Sequence, residues 1–122
     1  MIELRKITHD NWRQVLKLKL AEGQENFVAS NIYSLAEAYV GITNQEKPPM
    51  PFAIYNSEEL IGFAMMEYEE IDEDEMLFME YGDKAVYCFF RFMLDEKHQG
   101  KGLGRQAIEK ILDFCARSLR GR

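Results

Sequence analysis

Three alternating glycines carry the clearest chemical signal in this sequence. Gly100, Gly102 and Gly104 follow an apolar run and open a stretch with helical periodicity. The first turn of a helix has free backbone N–H groups and lies at the positive end of the helix dipole, and glycines let an anion approach that backbone closely. The pattern therefore predicts binding of a phosphate or pyrophosphate, with Lys101 and Arg105 adding positive charge.

Two common phosphate-binding motifs do not fit this segment. A Walker A loop requires Gly-Lys-Ser/Thr, whereas Gly100-Lys101 is followed by Gly102. A Rossmann fingerprint requires a glycine where Arg105 stands, and it also requires a further strand with an acidic residue about 20 residues on. An ordinary glycine-rich turn between a strand and a helix remains the plainer alternative.

A third motif does fit. Gln99-Gly100-Lys101-Gly102-Leu103-Gly104 resembles the Gln/Arg-x-x-Gly-x-Gly/Ala signature of the GNAT superfamily of N-acetyltransferases, and it follows the right kind of strand. Segments 26–31, 33–39, 52–55 and 91–94 are similar to bacterial spermine/spermidine acetyltransferases. Because the resemblance spans nearly the whole chain, it implies a single GNAT domain over residues 1–122.

The resemblance implies acetyl-CoA as the co-substrate, lying beside the fourth strand and the glycine turn. Backbone groups of Phe92 and Leu94 would pair with the pantetheine arm, and an N–H group of that strand would polarise the thioester carbonyl. The implied cofactor-binding residues are Phe92, Met93, Leu94, Gln99, Gly100, Lys101, Gly102, Leu103, Gly104 and Arg105. The amine attacks the thioester directly in such enzymes, so neither a protein nucleophile nor a metal is expected.

An amine that is protonated at neutral pH must lose a proton before it can attack. We expect Glu80 or Tyr87 to be the catalytic residue that removes it, directly or through a water molecule. A solvated loop carboxylate and a core aromatic ring are the plainer interpretations of these two residues.

The distribution of acidic residues suggests which kind of amine accepts the acetyl group. Between Pro48 and Asp83 lie eleven acidic residues and no lysine or arginine. Such a stretch attracts a polycation, although an acidic solvated loop needs no ligand. The candidate substrate-binding residues are Glu25, Asn31, Tyr33 and Glu37, from the segment that joins the first two helices.

The predicted function is transfer of an acetyl group from acetyl-CoA to a primary amine of a small polycation, with spermidine or spermine favoured. Two alternatives stay open, a non-catalytic acyl-CoA- or polyamine-binding module and an association domain without a ligand. Acetyl-CoA binding and thiol release with spermidine would separate the three.

Periodicity and turn signals predict the elements that position these residues. The order β-α-α-β-β-β-α indicates an α/β (α+β) fold, with a mainly antiparallel sheet flanked by helices. The elements are a strand at Ile2–Ile7, a helix capped by Asp10 and ending at Gly23, a helix that starts with a capping box at Ser34 and ends at Gly41, a hairpin over Phe52–Tyr68, an apolar strand at Ala85–Leu94 and a helix from Leu103. Gly62 within the hairpin predicts a bulge or a close backbone contact. The last helix carries an apolar stripe, in which Leu103, Ala107, Ile111 and Cys115 are spaced by four with Ile108, Leu112 and Leu119 beside them.

The composition argues against some classes of binding partner. The chain has 122 residues, enough for one domain, and a formal net charge of −6, which argues against nucleic acid as a partner. With no bilayer-spanning apolar run and no signal-peptide pattern, we expect a soluble cytoplasmic protein without a membrane partner. Cys88 and Cys115 lie in apolar patterns, which predicts reduced core cysteines.

A complete GNAT domain usually continues past such a helix with a fifth strand, a fourth helix and further strands, which often carry a tyrosine that protonates the leaving thiolate. The sequence ends at Arg122, so we expect a C-terminally truncated fold: a fragment, a naturally shortened chain, or one completed by another subunit. The exposed edge of the fourth strand would recruit other chains. This predicts a homodimer or higher oligomer, with weak activity in the isolated chain.

Overall fold

The computed structural model describes residues 1–22, 30–44, 49–70 and 86–120. These residues form strands and helices in the predicted order, with a short 3₁₀ turn at Glu96–His98 before the last helix. The elements are β1 (Ile2–Lys6), α1 (Trp12–Leu16), α2 (Asn31–Thr43), β2 (Met50–Asn56), β3 (Glu59–Glu70), β4 (Val86–Leu94) and α3 (Leu103–Arg120). The predicted fold class is confirmed.

The four described strands form one antiparallel sheet in the order β1-β2-β3-β4. A tight turn joins β2 to β3, where Asn56 pairs with Glu59 and Ser57 adopts a φ of 57°. Each strand pairs with the next strand along the chain, so the predicted hairpin is confirmed. Both of its strands extend beyond the predicted bounds.

Gly62 lies where the backbones of β3 and β4 pass close to each other. The register between β2 and β3 shifts at Ile54/Tyr55, and a Cβ built at Gly62 would collide with the carbonyl oxygen of Met93. The sequence prediction of either a bulge or a close backbone contact at this glycine is therefore confirmed on both counts.

One face of the sheet packs against α3. The predicted apolar stripe is confirmed, since Ala107 and Ile111 are fully buried and Leu103 packs against the same cluster. Leu112, which was expected beside the stripe, is 54% exposed. Cys115 is buried as predicted, but it is disulfide-bonded, so the prediction that it is reduced is wrong. The sheet residues of this layer are Ile2, Ile54, Ile61, Ala64, Met66 and Leu94.

The opposite face packs against α1 and α2. Phe63, Met65 and Met93 form this layer with Val15 of α1 and Ala38 of α2. Side chains alternate between the two faces along a strand, which explains why the neighbouring Leu94 belongs to the α3 layer instead. Burying each large aliphatic side chain stabilises the fold by about 1.5–3 kcal/mol. Both layers therefore stabilise the sheet.

Helix α1 is shorter than predicted and begins one residue later. Its N-cap is Asn11, whose amide donates to the Lys6 carbonyl and whose Oδ1 accepts from Thr8 N. The helix ends at Leu16 because the chain then leaves it to bond elsewhere: Lys19 N donates to Asp95 Oδ1 at 2.8 Å. A tertiary contact has overridden the helical periodicity that favoured continuation to Gly23.

Helix α2 begins earlier and ends later than predicted. Ser30 is its N-cap, with Oγ accepting from Tyr33 N at 3.0 Å. Ser34, the predicted cap, is fully buried inside the helix and its Oγ accepts from Arg91. Gly41, the predicted end, is also buried within the helix. The capping-box pattern was therefore misleading because Ser34 serves a tertiary contact.

No helix in the described part of the chain is long and apolar enough to cross a bilayer.

Candidate functional site

The loop from Asp95 to Gly102 joins the end of β4 to α3. Asp95 caps the 3₁₀ turn, with its Oδ2 accepting from Lys97 N at 3.3 Å and its carbonyl accepting from His98 N at 2.9 Å. Gln99 Nε2 donates to the Leu94 carbonyl at 3.0 Å. These bonds fix the path by which the chain enters the glycine turn.

Two of the three glycines adopt backbone conformations that disfavour other residues. Gly100 and Gly102 have φ values of 77° and 78°, in the left-handed region. A Cβ built at either position meets no atom within 4 Å, so the backbone faces open space. Helix α3 begins at Leu103, and its first N–H groups have no partner within the helix. A helix N-terminus with exposed backbone N–H groups is a typical binding site for phosphate groups.

Gly104 differs from the other two glycines. Its φ lies outside the left-handed region, and a Cβ there would make an ordinary contact of 3.6 Å with Leu94 Cδ1. Alanine is therefore compatible with this position, which agrees with the Gly/Ala choice in the signature quoted above.

The cationic residues of the turn are at the surface. Lys101 is exposed, and Arg105 is exposed with a 3.6 Å ion pair to Glu109 one helical turn on. Positive charge at this helix N-terminus is unfavourable without an anion nearby. Both residues are thus available to a phosphate from solvent.

The other predicted cofactor residues lie on both faces of the sheet end. Phe92 and Leu94 belong to the α3 layer beside Gly104, while Met93 belongs to the layer under α1 and α2. Leu103 is half-buried against the α3 layer. The ligand contacts of all ten residues stay predictions.

A cleft of about 460 Å³ opens beside Met93, on the face of the sheet under α1 and α2. Asn31, a predicted substrate-binding residue, lines this cleft together with Met93, a predicted cofactor-binding residue. Asn31 Nδ2 donates to the Val15 carbonyl at 3.0 Å and lies 3.9 Å from Met93 Sδ. The other described lining residues are Leu16, Leu18, Lys19, Leu20, Glu22, Ser30, Ile32 and Glu96.

Arg91 gathers a second set of polar residues on the same face. Its guanidinium lies 2.6 Å from Glu37 Oε1 and 3.8 Å from Glu67 Oε1, and it donates to Ser34 Oγ at 3.2 Å. It also lies 5.8 Å from the centre of the Tyr33 ring. Pairing with Glu37 raises the pKa of the Arg91 guanidinium above its ordinary value.

The predicted substrate residues are thus divided between two places. Asn31 lines the cleft, whereas Tyr33 and Glu37 surround Arg91, and the Glu37 carboxylate already has a cationic partner. Glu25 lies outside the described residues. The sequence signal for Arg91 was its position as the one charge within an apolar strand.

Neither predicted catalytic residue can be placed as a base. Glu80 lies outside the described residues. Tyr87 pairs with Glu69 across β3 and β4, and its side chain lies outside the described part. Among the described residues, no group of His, Cys, Asp and Glu side chains could hold a metal.

Three carboxylates of the acidic stretch have partners within the fold. Glu58 lies 3.2 Å from Arg5, and Glu67 lies 3.8 Å from Arg91, which also pairs with Glu37. Glu59 Oε1 lies 3.0 Å from His98 Nε2. Glu58 and Glu67 are therefore partly compensated by arginines.

Asp95 was not singled out from the sequence. It is 9% exposed, and besides capping the turn it accepts from Lys19 N and donates its own N–H to the Ile61 carbonyl at 2.7 Å. An acid at the end of an apolar strand carried no further signal, because its partners are distant in sequence.

Comparison with known proteins agrees with this geometry. The model of the acetyltransferase (GNAT) family matches residues 9–121. The spermine/spermidine N(1)-acetyltransferase of Bacillus subtilis (strain 168) is 26% identical over 119 residues, which cover 94% of this chain and 68% of that protein. A probable spermine N(1)-acetyltransferase of Bacillus subtilis subsp. natto (strain BEST195) is 25% identical with the same coverage. No solved structure gives a significant match. Since the family model covers nearly all of the sequence and its signature lies in the turn that opens α3, the chain belongs to the GNAT family of acetyltransferases.

Proposed function

We propose that this chain is an N-acetyltransferase domain that transfers an acetyl group from acetyl-CoA to a primary amine of a small polycation. The observation that carries the proposal is the glycine turn, whose left-handed Gly100 and Gly102 leave an open backbone surface at the start of α3. Spermidine and spermine are the favoured acceptors, since two relatives are named for them.

The turn supplies binding and orientation. Acetyl-CoA, when bound, supplies the acetyl group as an activated thioester. The N–H groups of the Gln99–Gly104 segment would hold its diphosphate, and Lys101 and Arg105 would add attraction. Backbone groups of Phe92 and Leu94 would orient the pantetheine arm, which brings the reacting groups together and removes an entropic part of the barrier.

The cleft beside Met93 is the proposed place of the amine. Apolar side chains from the segment after α1 and from α2 can contact methylene groups, and the exposed Glu22 and Glu96 on its lining attract ammonium groups. Lys19 on the same lining opposes them, so two carboxylates and one ammonium give the described lining a net negative charge. Glu80 and Tyr87 remain the predicted bases.

We also propose that the protein works as a homodimer or higher oligomer. The supporting observation is the outer edge of β4, which has no hydrogen-bonded neighbour among the described strands.

Titration of the full chain with acetyl-CoA in a calorimeter tests the proposed function, with Gly102→Ala and Gly104→Ala as a matched pair. Both variants add one methyl group, but only Gly102 has a left-handed φ. A non-glycine residue there costs about 1–2 kcal/mol, so we expect Gly102→Ala to weaken binding about tenfold and Gly104→Ala to stay within about twofold.

Thiol release in the presence of acetyl-CoA and spermidine then separates an enzyme from a binding module. Saturable heat without thiol release would favour the non-catalytic alternative. The absence of heat with acetyl-CoA at high concentration would contradict the proposal.

A further inference from the structure

Asp95 lies at a junction between the two halves of the proposed site. Its carboxylate accepts from two backbone N–H groups, that of Lys19 at 2.8 Å and that of Lys97 at 3.3 Å. Hydrogen bonds to an ionised acceptor are stronger than neutral ones. The residue is 9% exposed, so solvent competes little for these bonds.

The first partner belongs to the wall of the cleft. Lys19 lies 76 residues away from Asp95 in sequence, in the irregular segment that follows α1. Both backbone groups of Lys19 are hydrogen-bonded, because its N–H donates to Asp95 and its carbonyl accepts from Glu96 N at 2.8 Å. Its neighbours Leu18 and Leu20 line the cleft and pack against the core. The position of this wall therefore depends on Asp95 and Glu96.

The second partner belongs to the turn that leads to the glycines. Lys97 N donates to the other carboxylate oxygen, and His98 N donates to the Asp95 carbonyl. From there the chain runs through Gln99 into Gly100 and Gly102, where the diphosphate is proposed to bind. A movement of this turn changes the geometry around Asp95.

Asp95 itself is anchored to the sheet. Its N–H donates to the Ile61 carbonyl of β3 at 2.7 Å. One carboxylate on a fixed backbone thus bonds to the wall of the cleft on one side and to the turn that leads to the glycines on the other. Ordering of the turn by a ligand would order the wall through the same two oxygens.

We propose that Asp95 is a positioning residue that couples cofactor binding at the glycine turn to amine binding in the cleft. The inference rests on the proposed function, because both ligands are those proposed above. Asp95 touches neither ligand: it acts through the backbones of Lys19 and Lys97.

The test measures how much bound CoA changes the affinity for spermidine, and it does not measure turnover. Spermidine is titrated into the full chain with and without saturating CoA, which lacks the acetyl group and cannot react. We expect CoA to strengthen spermidine binding about fivefold or more in the unchanged protein, within the usual range for coupled sites. Asp95→Ala removes both side-chain bonds and should reduce this factor to less than about twofold.

Two further variants distinguish coupling from a loss of structure. Asp95→Asn keeps one side-chain oxygen, so CoA should increase spermidine affinity by an intermediate factor. Glu96→Ala leaves the backbone bond to Lys19 in place. It should keep the full factor even if spermidine itself binds more weakly. Hydrogen exchange at Lys19 N gives a readout independent of affinity. It should slow on CoA binding in the unchanged chain and not in Asp95→Ala.

The outcomes are distinguishable from failure of the proposed function. If the unchanged chain binds no CoA, the proposed function itself is overturned. If CoA and spermidine both bind but the linkage factor is the same in Asp95→Ala, or is about one in the unchanged chain, only the coupling role is overturned. Should Asp95→Ala not fold, full linkage in a folded Asp95→Asn protein would equally overturn it.

Discussion

At the scale of single residues, Arg91 shows how one cation can organise several distant side chains. The guanidinium has five N–H donors in a planar fork, so it can serve Glu37, Glu67 and Ser34 together. Its side chain and the two carboxylates are each about one third exposed. The group is therefore less costly to desolvate than a fully buried ion pair, yet it joins α2 to β3 and β4.

Replacing Arg91 tests this role in stability. Arg91→Met would leave two partly buried carboxylates without a cation, and we expect the free energy of unfolding to fall by about 1–3 kcal/mol. This is less than the 3–5 kcal/mol typical of breaking a fully buried pair, because water reaches the group. Urea denaturation followed by circular dichroism measures the change.

Arg5→Met is the matched control, since the Arg5 side chain is as exposed as that of Arg91 and also contacts two carboxylates, Glu3 and Glu58, which are 48% and 90% exposed. It should destabilise the chain less than Arg91→Met. Equal losses in the two variants would show that the partial burial of Glu37 and Glu67 does not add to the stabilisation by Arg91.

The pH dependence of the Arg91 effect follows from the direction of its pKa. The pKa is raised in the folded protein, first by pairing with Glu37. The resulting stabilisation is fully present below the unfolded pKa and is lost only as the pH rises through the higher folded pKa. The difference between Arg91→Met and the unchanged chain should therefore not vary between about pH 6 and pH 9 on account of this guanidinium.

At the scale of the elements, the close passage of β3 and β4 determines where the site begins. Gly62 lies opposite Leu94 in the β3–β4 register, and the Met93 carbonyl approaches it too closely for any side chain. The same part of β4 supplies the residues proposed to orient the pantetheine arm. A glycine on one strand thus sets the position of the functional end of the next.

Gly62→Ala tests this connection. The added methyl group would collide with the Met93 carbonyl and lie 2.9 Å from Leu94 Cδ2. Because a backbone atom cannot rotate away, we expect the variant to lose about 1–3 kcal/mol of stability, as overpacked cores do, and to bind acetyl-CoA more weakly.

Gly104→Ala is again the control, since its added methyl group has ordinary contacts. Thermal unfolding and calorimetry measure the two effects in both variants. Unchanged stability in Gly62→Ala would mean that the two strands can separate without cost, contrary to this account.

Strands and helices differ in how far their bounds could be predicted. The hairpin and the stripe on α3 were predicted well because alternation and helical spacing are local signals. The ends of α1 and α2 were not, because Lys19 bonds to Asp95 and Ser34 bonds to Arg91. Those contacts compete with helix propensity and win.

At the scale of the whole molecule, the candidate site has one part built from contiguous residues and another built from residues that are distant in sequence. The glycine turn is contiguous, so its conformation and its likeness to a known signature could be predicted from the sequence. The clusters at Arg91 and Asp95 join residues 57 and 76 positions apart, and only the folded sheet brings them together. The sequence therefore predicts Glu37 as an amine ligand, whereas in the fold its carboxylate pairs with Arg91.

Charge and sheet topology together lead to a prediction about assembly. The outer edge of β4 is unpaired among the described strands, and unpaired edges associate with other chains. The net charge of −6 opposes self-association at low ionic strength, and salt screens this repulsion over a Debye length of about 10 Å at 0.1 M. We expect light scattering to show a dimer or larger species whose fraction rises with protein concentration and with sodium chloride. A monomeric mass at every concentration and salt level would contradict the prediction, whereas a dimer that dissociates on adding salt would indicate an interface held by ion pairs and not by strand edges.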